Sequence, residues 1–529
     1  MAHKKSLAFW KLCLLFLFIG CNKDGEESLP KIQVPSVVTS EAANITENSA
    51  TIEGNITDDG GSSIIEKGVC WATINNPTRE DSHTENGSGK GMFSNQLIDL
   101  EENTTYYARA YASNEEGTAY GNEISFTTLD LPMLIYDGNV ELLSQDMVDD
   151  FGNEMYTEIT GNLTISYDPN HPEWEPVNNL DKLANLTKIN GEFLISGLTN
   201  LSNADGLANV SEIGGNIEVR HSQMTSLTWL KEIKEFNGSL ILSDLSGLQS
   251  LEGLENCTAI NQGLDISFNP SLININALKN LSSIGLFARI DYNDKLPDID
   301  GLSGLNEIGG YLSIYKNDLI TDITGLKNLV KVGSTFSIEK CPQLTNIDGL
   351  DNLNLVETIE INENDALTNL DGLEHVISVN GIQGSLLIRN NNALVDINVL
   401  TFNTEGIKSI EIKSNAALEN LSGLNGLKSI QSLTIENNSS LTEIAGLNNL
   451  QSVTQGLTIS NNNKLISIHG FEGITSFDGK LKIWYNKILS NLCGLSHFIG
   501  NGLVETNYQI SGNQYNPSYQ DLIDGNCSN

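Results

Sequence analysis

Positive charge is scarce. The 529-residue chain carries 29 Lys and Arg against 67 Asp and Glu, a net charge of −38. Such a surface repels nucleic acid and anionic lipid, so neither is expected as a partner. Cysteine is scarce too, with seven in the chain. No pair has CxxC spacing and none clusters with histidine, which argues against a zinc site. The seven histidines share no period: His3, His83, His171, His221, His375, His469 and His497 are scattered. There is no Gly-rich phosphate loop, nucleophile elbow or HExxH motif. No metal and no cofactor is expected. Long apolar runs are missing beyond the first twenty residues, so no later segment reaches spanning length.

Those first residues differ from the rest. Lys4 and Lys5 give a basic start, Leu12 to Ile19 is unbroken apolar sequence, and Gly20-Cys21 follows. A basic start, a short apolar core and a small residue before the cut describe a secretory signal over 1–20. Cysteine directly after the small residue resembles the lipobox of bacterial lipoproteins, with Phe18 where the usual motif has Leu. The resemblance implies acylation at Cys21, making it the new N-terminus. Losing Lys4, Lys5 and Lys11 leaves about −41 on the mature chain. The acidic run Asn22-Lys23-Asp24-Gly25-Glu26-Glu27 resembles the export signal of Bacteroidetes-type surface lipoproteins. Residues 21–30 then read as an anchored tether, and the membrane link is the lipid alone. The implied location is the outer membrane, facing outward.

Residues 31–129 read as all-β. Short alternating runs such as Ala50-Thr51-Ile52-Glu53-Gly54 and Gly68-Val69-Cys70-Trp71-Ala72 are separated by turn clusters. About 100 residues of this pattern suggest a β-sandwich. The run from Thr105 through Asn114-Glu115-Glu116-Gly117 to Phe126-Thr127-Thr128 resembles the last two strands of a fibronectin type III domain. That resemblance implies a spacer or adhesion module. Residues 130–160 read as a linker and polar cap, with a helical stretch at Ser144 to Phe151.

The remainder repeats. The motif is L-x-I-x-x-N-x-x-L-x-x-I-x-G-L-x-x-L-x-x-I-x-G, with variations. The apolar residue ending L-x-I recurs at Ile165, Ile195, Val219, Leu242, Ile266, Ile290, Ile314, Ile338, Ile361, Ile388, Ile412, Ile435, Ile459, Ile483 and Ile510. From Ile195 to Ile483 the step is 23 or 24 residues, except for 27 between Ile361 and Ile388. A fixed period of this size predicts stacked coils, each burying its neighbour's apolar side. L-x-I predicts a strand with both apolar residues inward. Three residues on stands Asn, at Asn269, Asn293, Asn317, Asn364, Asn391, Asn415, Asn438, Asn462, Asn486 and Asn513. Stacked in register, these would form an internal amide ladder. The Gly-Leu pairs at Gly325, Gly349 and Gly446 predict a second sharp turn.

Leucine-rich repeats share this look but place the next Leu two residues after the Asn, not three. Residues 136–527 most resemble the L domains of receptor ectodomains, which implies a right-handed β-helix related to leucine-rich repeats. The expected architecture is all-β: a fibronectin type III-like sandwich, then a solenoid of about 15 coils over 161–527. A seam between fused L domains is expected near 388–406, if one exists. Leu492-Cys493-Gly494-Leu495 resembles the closing cysteine region of that family. Cys493 and Cys527, bracketing the C-terminal segment in an oxidising compartment, are candidates for a disulfide. Cys70, Cys257 and Cys341 read as small buried residues.

If L-x-I faces inward, its neighbours face out. The outward positions include Asp265/Ser267, Arg289/Asp291, Ser313/Tyr315, Leu387/Arg389, Glu411/Lys413 and Lys482/Trp484. Tyr292 and Tyr485 fall one step further, at the corner. Coils about 4.8 Å apart make a face about 70 Å long. Arg289, Tyr315, Arg389, Lys413 and Trp484 are the candidate ligand-binding residues, because Arg and aromatic side chains dominate binding hot spots. The expected function is non-catalytic capture of an extracellular protein or glycan. The alternatives are a β-helix enzyme acting on polysaccharide, which needs carboxylates clustered in a groove, and a purely structural surface spacer.

Overall fold

Alternating apolar residues build the first of two units, residues 31–130, into antiparallel sheets. These and all later observations come from a computed structural model that describes residues 31–130, 134–374, 376, 384–400 and 407–529. Cys21 and the tether lie outside the described residues. Ser36–Thr39, Ala50–Asp58 and Gly91–Leu97 form one sheet. Glu66–Ala72, Thr105–Ser113 and Ile124–Thr127 are the main strands of the other. Ile52 and Leu97 from the first meet Val69, Ala108 and Phe126 from the second in one buried cluster.

The second unit, residues 133–529, is the repeat. Its main sheet holds 17 strands, almost all parallel neighbours in chain order. Each coil adds one strand with its anchor opposite the last, as in Ile266↔Ile290 and Ile290↔Ile314. A second side carries two-residue strands such as Ser283–Ile284 and Glu307–Ile308, also parallel. A third side is a short 3-10 turn such as Asp300–Leu302. The repeat explains the burial. Beyond Leu264 and Ile266, one coil turns Leu272, Ile275, Leu278, Leu281 and Ile284 inward, each at most 1% exposed. The next coil repeats the set at Leu296, Ile299, Leu302, Leu305 and Ile308. One continuous core results, as a stacked repeat requires.

The buried asparagines tie coil to coil. Asn293 Nδ2 donates to Ile266 O at 2.9 Å, and its Oδ1 accepts the Asn269 N–H at 3.2 Å. Asn317 does the same to Ile290 O (2.7 Å) and the Asn293 N–H (2.9 Å). The pattern runs through Asn391, Asn415, Asn438, Asn462, Asn486 and Asn513. It begins at Asn269, which bonds Leu242 O and the Leu245 N–H. It ends where Asn516 Oδ1 accepts the Asn513 N–H at 2.9 Å. In one coil Cys341 takes the Asn place, and its thiol meets the Asn317 N–H; burial pushes that thiol up to about 12. Asn364 then resumes the ladder, bonding the Cys341 N–H and Ile338 O.

The structure departs from the sequence expectations at two places. The main sheet starts at Val140–Leu142, inside the segment read as linker and cap. This first coil was hidden because a helix, Gln145–Asn153 with Ser144 as N-cap, replaces its Asn corner. The Gly-Leu pairs do lie in the expected turn, within Thr324–Leu326, Asp348–Leu350 and Ala445–Leu447, but Gly325, Gly349 and Gly446 have no left-handed φ there. A Cβ there would lie 2.1, 1.8 and 1.7 Å from carbonyl oxygens of the preceding coil (Ile299, Ile323 and Leu421). Close stacking, not turning, requires glycine. At the 27-residue step the ladder passes unbroken, with Ile361↔Ile388 and then Ile388↔Ile412; Thr401 to Gly406 lie outside the described residues. Cys493 and Cys527 are joined as a disulfide.

Asn415→Ala removes the acceptor of the Asn391 N–H and the donor to Ile388 O. Two buried groups left unpaired at about 1–3 kcal/mol each predict a loss of about 2–5 kcal/mol in urea unfolding of the whole chain. A loss below about 0.5 kcal/mol would show that the amide ladder does not hold the coils.

Candidate functional site

The outward face of the main sheet presents three side chains per strand, and register sets them in rows. Along one coil stand Phe287, Arg289 and Asp291; Gly263, Asp265 and Ser267 precede them, and Tyr311, Ser313 and Tyr315 follow. A fourth row comes from the corner residue just before each ladder Asn. It is left-handed in coil after coil, as at Phe268 (φ 57°), Tyr292 (56°), Lys316 (55°) and Asn390 (55°). The left-handed turn lets the corner amide stay in the ladder: Phe268 N–H donates to Asp291 O at 3.0 Å, and Tyr292 N–H to Tyr315 O at 2.9 Å.

Arg289 is locked. Nη1 donates to Asp265 Oδ2 at 3.1 Å, Nη2 donates to Tyr311 OH at 3.0 Å, and Nε lies 3.4 Å from Asp291 Oδ2. Both carboxylates are buried beneath it. Ser313 Oγ donates to Asp291 at 3.0 Å. Burial pushes the Asp291 carboxyl from 3.8 up to about 6, and the neighbouring Asp265 charge adds to this against the pull of Ser313 and Arg289. Aromatic rings stand on both sides. Phe287 and Tyr311 stack with centroids 5.4 Å apart, and Phe268 and Tyr292 with centroids 4.4 Å apart. Tyr315 tilts against Tyr292 at 5.3 Å and accepts from Lys340 Nζ at 2.7 Å.

The other sequence candidates sit elsewhere on the face. Arg389 donates to Glu360 at 2.9 Å and to Glu411 at 2.7 Å, in the coils before and after it. Lys413 pairs with Glu411 and lies 3.8 Å from Glu436. The Arg389 pairs run diagonally: in register Arg389 faces Lys413, and Glu360 and Glu411 stand in the neighbouring row on either side of Leu387. Both cations are occupied within the sheet. Trp484, with Lys482 Nζ 5.2 Å from its ring centre, lies at the far end. It borders a concavity of about 800 Å³ shared with Tyr485, Tyr508 and Tyr519. Sequence reasoning did not nominate Phe268, Phe287, Tyr311, Asp265 or Asp291 as site residues. The signal was there: aromatics recur at one repeat's offset, 268 with 292 and 287 with 311.

The fold and face together define an all-β repeat protein with a parallel β-solenoid. No family model and no curated protein matches the chain. Among solved structures, the sensor domain of an anti-sigma factor from Pseudobacteroides cellulosolvens is 22% identical, covering 19% of this chain and 100% of its own, with a TM-score of 0.16. A pectate lyase from Pectobacterium carotovorum is 9% identical, covering 61% of this chain and 80% of its own, with a TM-score of 0.13. At these scores neither likeness assigns an activity or a ligand.

Because the folded Asp291 binds its proton more tightly than the unfolded chain does, it adds stability at low pH and loses it as pH rises through about 6. The groups facing it are Arg289, Asp265 and Ser313. Asp291→Asn should therefore gain on wild type between about pH 4 and pH 7, by on the order of 2 kcal/mol. Paired calorimetric scans check this; a difference that stays flat with pH contradicts it.

Proposed function

We propose that this chain is a non-catalytic binding protein, anchored to the outer membrane through a lipid on Cys21 and facing outward. Its solenoid captures an extracellular protein or glycan. One observation carries the reading: a single uninterrupted sheet of 17 strands presents its outer face as ordered rows, with aromatic side chains gathered around a locked arginine. The two packed antiparallel sheets of the first unit support a fibronectin type III-like spacer. The three-sided coils and the Asn corners support kinship with receptor L domains and leucine-rich repeats. Among the described residues no helix is long and apolar enough to cross a membrane.

An enzyme acting on polysaccharide is the second reading, because Asp265 and Asp291 flank one arginine on an exposed face. Both carboxylates are buried and bonded to that arginine. A general acid or base needs its oxygen within reach of the substrate proton, at about 2.6–3.2 Å. Their engagement favours a binding role.

Protease shaving of intact cells tests the placement. Wild-type protein is expected to be shed from the surface, and the Cys21→Ala variant to appear in the medium. Protection in intact cells would place the protein in the periplasm and end the capture reading.

A further inference from the structure

Twelve corners of the solenoid pass through a non-glycine residue in the left-handed conformation, from His221 to Tyr485. An L side chain there costs on the order of 1 kcal/mol, and Asn tolerates it best. Asn390, Asn437 and Asn461 follow that preference. Phe268, Tyr292 and Tyr485 defy it, and they are also exposed, at 50%, 36% and 59%. An aromatic ring at such a corner gains no backbone ease and, beyond its neighbouring ring, little burial, which leaves a face free to meet something outside the chain.

Phe268 and Tyr292 are adjacent and stacked. They stand at the corner end of the strands that carry Arg289, beyond the row of Ser267 and Asp291, and the Arg289 side chain is 42% exposed. Across the strand Phe287 lies over Gly263, where a Cβ would come within 2.2 Å of the ring. Asp265 is 8% exposed, and its Oδ1 has no hydrogen-bond partner. That oxygen is buried beneath the guanidinium, so the patch offers a ligand apolar rings and one oriented donor, Arg289.

We propose that this patch binds an uncharged polysaccharide, with Phe268 and Tyr292 supplying apolar contact and Arg289 donating to sugar hydroxyls. Three coils by five residues give about 14 Å by 16 Å, on the order of 200 Å². A stable protein interface takes about 800 Å² per partner, which this patch does not reach. A run of sugar rings fits it. Charge selects among glycans. The guanidinium is balanced by Asp265 and Asp291 in a chain of net charge −38, so polyuronates and sulfated chains are repelled.

The inference rests on the capture reading, and affinity electrophoresis of the unlipidated full chain separates the two. The probes are xylan, galactomannan, mixed-linkage glucan and soluble starch, with polygalacturonate as the charged comparison. The decisive variant is Phe268→Asn/Tyr292→Asn, because Asn suits both corners and keeps the thermal midpoint. At least one neutral polysaccharide should retard wild type, polygalacturonate should not, and the double variant should bind about ten-fold or more weakly. Unchanged retardation in the double variant overturns the site, as does loss in Trp484→Ala alone; the capture reading survives both. Retardation by polygalacturonate alone overturns the ligand class. No retardation by any neutral chain overturns the inference and leaves protein capture, which a host-protein array then reads.

Discussion

From Asn269 onward a buried asparagine amide joins coil to coil, with Cys341 in its place once, and the corners of those coils depend on that bond. Where a strand turns its corner, one backbone N–H and one C=O of the previous coil face inward and cannot reach each other. Buried and unpaired, they would cost about 1–3 kcal/mol each. A carboxamide offers an acceptor and a donor a short reach from the chain, and Asn293 uses both, on the Asn269 N–H and Ile266 O. Ser or Leu at the same place cannot do both. The amide must sit inward, so the residue before it takes the left-handed turn and points outward. One interaction therefore satisfies the corner's buried groups and secures a left-handed turn that His221 and Asp244 make without it.

Function follows from register. Residues about 24 apart in sequence become neighbours one strand apart, so the outward face is written in columns. In one stretch adjacent columns carry opposite charge, Glu360 and Glu411 in one and Arg389 and Lys413 in the next, and the sheet consumes it. In another they gather Phe268, Tyr292, Phe287 and Tyr311 about Arg289. The same geometry thus makes an inert stretch and a contact patch from different letters. A surface built this way changes its ligand by substituting outward residues, while the apolar positions and the asparagines stay fixed.

The parallel stack was legible because its cause is periodic. L-x-I and the Asn three residues on recur wherever the core demands them. Three things were not legible. The first coil lacks its Asn and turns through a helix after Ser144, so no period reveals it. The Gly-Leu turn was legible but its need for glycine was not, because a sequence does not display the carbonyl of the preceding coil lying where a Cβ would go. The corner residue takes His221, Phe268, Lys316 or Ser414 alike, before Ser222 as before an asparagine, since its backbone is set by the stacked coil and not by its own preference. The nominated Arg389 shows the same limit: its residue type suggests a hot spot, but its two carboxylate partners come from other coils.

Hydrogen exchange across the solenoid tests the central claim most directly, because the molecule contains its own control. Asp168, Leu198 and Ser222 occupy the ladder place in the early coils, and the same place one coil further on holds no asparagine to accept their N–H. The account predicts that corner amides of Asn364, Asn391, Asn415, Asn438 and Asn462 exchange last, at the rate set by opening of the whole stack. The corners of the early coils exchange sooner. Equal exchange at both sets of corners would mean that apolar stacking alone holds the coils in register, and that the buried amides follow the fold instead of fixing it.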